Sequence, residues 1–181
     1  YMVSEAFLHG FYGKPRIDLN LLRERHEGLI ALSACLAGAI PQYLMGESYD
    51  SAKEYALNLS QIMGPGNFYL ELQDHGIPEQ RMVNQGIHRL ARETGLPLVV
   101  TNDAHYLRRE DAKMQDVLLC IQTGKTVDDQ NRMRFHSDDF FLKSEAELRE
   151  LFPGCDQAFD NTVKIAEQCN LDFVFHEYHL P

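Results

Sequence analysis

Short apolar runs alternate along this chain with longer stretches in which apolar residues recur every three or four positions. Residues 29–33, 68–72 and 98–101 read as buried strands, each a brief apolar run bounded by polar or turn residues. Helical spacing predicts helices over 2–11, 19–25, 40–44, 51–63, 79–94, 109–122 and 155–169, with a short one from 144 through Phe152. The punctuation agrees. Asp18 and Asp50 are placed as N-caps, and Gly64-Pro65-Gly66 is a stop. Pro78 opens and Gly95 closes the 79–94 helix, and Ser144-Glu145-Ala146-Glu147 has the form of a capping box. The stretch 124–143 is mixed, with a short extended piece expected within 135–142. Strand followed by helix, repeated, argues for an α/β fold with parallel strands covered by helices. Three strands are too few to close a barrel.

The third run changes the picture from architecture to chemistry. Leu98-Val99-Val100-Thr101 ends abruptly in Asn102-Asp103-Ala104-His105. In extended chain, residues i and i+2 point the same way, so Asp103 and His105 would present a carboxylate and an imidazole to one spot. That spot lies past the C-terminal end of a strand, where α/β folds place their sites. The pair suits zinc or manganese. The alternative is a turn aspartate beside a histidine that merely packs. The first two strand ends add Ser33 and Cys35, then Glu71, Gln73 and His75. Cys35 reads either as a thiolate ligand or as a buried small residue, and His75 as a ligand or a turn residue.

Composition narrows the class. In 181 residues the hydrophobic fraction is 44%, enough for a globular core. No apolar run approaches the ~20 residues needed to span a bilayer, and no membrane partner is expected. The four cysteines, Cys35, Cys120, Cys155 and Cys169, form no CxxC pair, which fits a reducing cytoplasm. A formal net charge of −10 disfavours the chain as a main DNA-gripping surface, although Arg132 and Arg134 are local basic groups that could touch nucleic acid. Both ends read as cuts through a longer chain.

Several longer motifs carry a resemblance. They are Glu27-Gly28-Leu29-Ile30-Ala31-Leu32-Ser33-Ala34-Cys35-Leu36-Ala37-Gly38, Phe68-Tyr69-Leu70-Glu71-Leu72-Gln73-Asp74-His75-Gly76, Thr101-Asn102-Asp103-Ala104-His105-Tyr106-Leu107 and Asp116-Val117-Leu118-Leu119-Cys120-Ile121-Gln122-Thr123-Gly124-Lys125. With Gly10-Phe11-Tyr12-Gly13-Lys14-Pro15-Arg16 and Glu177-Tyr178-His179-Leu180-Pro181, they resemble, in order, the PHP (polymerase and histidinol phosphatase) domain of the bacterial DNA polymerase III alpha family. The resemblance implies a partial (β/α)7 distorted barrel lacking its N-terminal strands. It implies PHP sequence over 1–134 and a mostly helical connection toward a polymerase palm over 135–181. Cys35, Asp103 and His105 match metal ligands of that family, and the family's earlier ligands have no counterpart here. His75 matches a residue near the site and is not carried over as a ligand.

The function so implied is DNA-directed DNA synthesis by the parent subunit, a nucleotidyltransferase with magnesium in its palm. The PHP part would be either a zinc- or manganese-dependent 3′–5′ exonuclease site or a structural platform. DNA, a proofreading subunit and the sliding clamp are the implied partners. The alternatives are a freestanding PHP-type phosphoesterase and a non-catalytic scaffold. The fragment alone is expected to be inactive. The apolar run 29–32 is expected at an unpaired sheet edge, where it would self-associate or be covered by the 2–11 helix.

Overall fold

In the computed structural model, which describes residues 1–172 and 174–177, the three apolar runs form one parallel sheet in the order β1–β2–β3. The central strand β2 is Phe68–Leu72, flanked by β1 (Ala31–Leu32) and β3 (Leu98–Val100). Ala31 pairs with Phe68, and Leu70 with Leu98. Phe68, Tyr69, Leu70 and Leu72 are all buried, as suits a parallel strand covered on both faces. β1 is shorter than the predicted 29–33 because it has a neighbour on one side only. Leu29 and Leu32 remain partly open to solvent at this edge, 39% and 37% exposed.

Eight α-helices surround the sheet among the described residues: α1 (Met2–Leu8), α2 (Leu19–Arg25), α3 (Ala39–Met45), α4 (Tyr49–Met63), α5 (Pro78–Thr94), α6 (Ala112–Thr123), α7 (Glu145–Leu151) and α8 (Asp156–Gln168). The local signals explain most of their limits. The Asp18 side chain accepts from the Leu21 N–H at 2.8 Å, and Ser144 with Glu147 closes the predicted capping box. Pro78 opens α5, and Gly95 ends it in the left-handed region. Two limits differ from the sequence reading. α1 stops at Leu8, and the chain then turns back on itself, with the Arg16 N–H donating to the Gly10 carbonyl at 3.0 Å and Phe11 bridging Pro15. α4 starts after Ser48, which leaves Asp50 inside the first turn, where its charge complements the helix dipole.

The core lies between the sheet and α3, α4 and α5, with Ile40, Ala52, Ala56, Leu70, Leu72, Ile87 and Leu90 at its centre. α8 covers β3, and the Asn161 amide donates to the Leu98 carbonyl at 2.7 Å. α1 packs against α2. The extended piece expected in 135–142 is present only as an isolated bridge outside the three-stranded sheet. Tyr106 and Phe141 form an isolated parallel bridge, and the His105 N–H donates to the Phe140 carbonyl at 2.8 Å. Of the resembling C-terminal motif, residues 178–181 lie outside the described residues.

Candidate functional site at the strand ends

All three strands point their C-terminal ends toward one rim, and a polar network ties them there. Glu71 is its centre. One carboxylate oxygen accepts from the Ala34 N–H at 2.9 Å, while the other accepts from the Gln73 amide at 2.9 Å and from the Thr101 hydroxyl. The Glu71 N–H in turn donates to Ser33 Oγ at 2.8 Å. One side chain on the central strand thus cross-links the exits of β1 and β3. Both flanking exits turn sharply: Ala34 and Asp103 have φ of +67° and +45°, in the left-handed region that non-glycine residues rarely adopt.

Asp103 and His105 meet, although Asp103 sits in the left-handed region and not in the extended chain that the i, i+2 argument assumed. His105 Nε2 lies 3.5 Å from Asp103 Oδ1, and both side chains are partly open to solvent. The His105 ring is held against Phe135 and Phe140, with centroids 4.8 and 5.6 Å away. Cys35 is not brought to this pair. It lies in the β1–α3 loop, half-buried, and lines a small hollow with Glu71, Gln73 and Gln80. Among the described residues, no three His, Cys, Asp or Glu side chains come together as a metal-binding group. The Glu71 carboxylate is already engaged by the fold.

His75 has a role that a turn residue would not. It is 1% exposed and stacks on Phe140 at 4.0 Å with the rings nearly parallel. Its Nε2–H donates to the Asn102 carbonyl at 2.8 Å, and its Nδ1 accepts from the Gln80 amide at 2.7 Å. Its own carbonyl accepts from the Ser137 hydroxyl at 2.7 Å. Burial pushes the His75 pKa down, so the neutral ring assumed by this pattern is the favoured form. Asn102 extends the same lattice, its side chain exchanging two hydrogen bonds with the Lys143 backbone at 2.9 and 3.0 Å. Lys143 is buried, its pKa lowered chiefly by that burial, and its ammonium is bonded to the Asp139 carbonyl over the Phe141 ring.

Gln80 and Lys143 were missed by the sequence reading, and Asn102 was read only as a polar residue at a strand end. A signal existed for Gln80 alone, which continues the buried stripe of Val83, Ile87 and Leu90 along α5 as a polar residue on an apolar face. For Asn102 and Lys143 no local pattern marks a partner forty residues away.

The rim can be compared with known proteins. Residues 1–75 match the PHP domain family. DNA polymerase III subunit alpha of Thermus aquaticus is 47% identical over 174 residues, covering 94% of this chain and 14% of that protein. The subunit of the same name from Borreliella burgdorferi is 41% identical over 187 residues, covering 99% of this chain and 16% of its own length. That of Treponema pallidum is 45% identical over 168 residues, covering 93% and 14%. The chain thus spans a small part, 14 to 16%, of the curated relatives it matches. Residues 1–75 thus carry PHP-domain sequence, and nearly the whole chain is similar to a segment of bacterial DNA polymerase III alpha subunits.

Proposed function

We propose that this chain is part of a replicative DNA polymerase alpha subunit and serves there as a folded platform beside the site of nucleotide addition. The observation that carries this reading is the match across nearly the whole chain to subunits of that name in several bacteria. The strand-end network supports the platform role. Glu71 and His75, which sit where PHP chemistry would be sought, have their hydrogen-bonding capacity used to join three strands and the 135–143 segment. The parent activity is DNA-directed DNA synthesis, with magnesium in a palm that this chain does not contribute. DNA, a proofreading subunit and the sliding clamp are its partners, in the cytoplasm. No helix among the described residues is long and apolar enough to cross a membrane.

A second reading, a zinc- or manganese-dependent 3′–5′ exonuclease, is favoured by the Asp103–His105 pair alone. With Cys35 set apart, that pair would need donors from elsewhere in the subunit. Primer extension and 3′-end degradation by the full-length subunit separate the readings. The platform predicts primer extension retained in Asp103→Asn and His105→Ala, and no metal-dependent degradation for either variant to lose. Degradation abolished by both variants establishes the exonuclease instead. Absence of primer extension by the full-length wild type overturns the polymerase assignment.

A further inference from the structure

A hollow beside the 132–138 segment shares Phe135 and Ser137 with the strand-end site, but its basic groups are unused by the proposed function. Its volume is about 320 Å³, at the small end of ligand-sized cavities, and its walls come from α6 and from Arg132 to Asp138. The chain as a whole is strongly acidic, yet Lys113, Arg132, Arg134 and His136 all line this one hollow. Arg132 forms the fixed wall, with its side chain only 5% exposed and its guanidinium paired two-pronged with Asp116. Its Nε is buried without a hydrogen-bond partner, a leftover donor of the kind a bound acceptor satisfies.

The other cations are not neutralised. Arg134 uses one terminal nitrogen, Nη2, on the carbonyls of Asp129 and Gln130, at 3.2 and 3.4 Å, and forms no ion pair with a carboxylate among the described residues. Lys113 has no ion pair among them either. Of the two carboxylates lining the hollow, Asp116 is taken by Arg132, and Asp138 by Arg109 at 2.9 Å. The surplus is therefore positive. Arg132, and more distantly Arg134, hold the Asp116 carboxyl below its usual range, which agrees with that sign. Phe135 and Tyr106 contribute rings to the same walls.

We propose that this hollow binds a phosphate of single-stranded DNA, with Arg134 and Lys113 contacting the phosphate and Phe135 supplying a face for an adjacent base. Unpaired cations beside aromatic rings are the combination that holds a strand without reading its sequence. The choice of DNA over other phosphate carriers rests on the polymerase reading above. Primer extension tests that reading without touching this hollow, so the two fail separately.

The test is photo-crosslinking of the full chain to a short oligothymidylate carrying 5-iodouracil, with the adduct mapped by mass spectrometry. The expected adduct lies on Phe135 or Tyr106. Its yield should fall about tenfold in Lys113→Glu and in Arg134→Gln, and the salt dependence of binding should lose about one unit of slope for each cation removed. Lys113 is exposed on α6, so its variant keeps the test valid if Arg134→Gln disturbs the loop. Lys14→Glu, on the turn between α1 and α2, should bind like wild type. An adduct mapped elsewhere overturns the proposal, as does a yield unchanged in both variants or lowered equally by Lys14→Glu. Binding of inorganic phosphate with no oligonucleotide adduct also overturns it, leaving only a small-anion site.

Discussion

Replacing His75 with alanine removes the piece that locks β2, β3 and the 135–143 segment together. The ring is 1% exposed, so its two partners are left without water to replace it. The Asn102 carbonyl loses its donor, and the Gln80 amide loses its acceptor. Each buried group left unpaired costs about 1–3 kcal/mol. The parallel stack on Phe140, with centroids 4.0 Å apart, adds about 0.5–1.5 kcal/mol. A total loss of about 2.5–7.5 kcal/mol follows, against the ~5–15 kcal/mol that a typical domain has in hand. Urea unfolding followed by far-ultraviolet circular dichroism reads this directly as a lower midpoint at unchanged slope. His75→Gln keeps an amide able to donate to Asn102, so its loss should be smaller. If His75→Ala costs less than about 1 kcal/mol, the lattice described here does not hold these elements together.

Three further outcomes are expected. Because burial holds the folded His75 pKa below its unfolded value of about 6.5, the unfolded chain takes up a proton that the folded chain refuses. Stability should therefore be complete above about pH 7 and fall as the pH drops below that toward the folded value, a component that a wild-type versus His75→Gln pH series of unfolding midpoints should show missing in the variant. Gly38→Ala should destabilise the β1–α3 loop by about 1–3 kcal/mol, since the added methyl would sit 2.6 Å from the Ser33 carbonyl; an unchanged thermal midpoint would count against that packing. At the exposed β1 edge, Leu32→Lys should reduce concentration-dependent association of the chain measured by light scattering. A wild-type chain that stays monomeric at all concentrations would remove that expectation.

The sequence by itself determined the elements whose causes are local. β2 was legible to the residue because Phe68–Leu72 is an apolar run between a glycine turn and polar residues. α5 was legible from Pro78 and Gly95, and α7 from its capping box. The Asp103–His105 pair was marked by its sequence spacing, but its meeting depends on Asp103 turning through the left-handed region and not on an extended chain. The fate of Cys35 was not legible, nor were the roles of Glu71 and His75. Glu71 meets Ala34 and Thr101 across separations of 37 and 30 residues, and His75 meets Asn102 across 27. Those meetings exist only once the strands have paired in one register and Ala34 and Asp103 have turned through the left-handed region at the strand exits. Periodicity reports which face of an element is buried. Which polar groups face each other at a rim depends on how the elements slide past one another, and that was decided by packing the core.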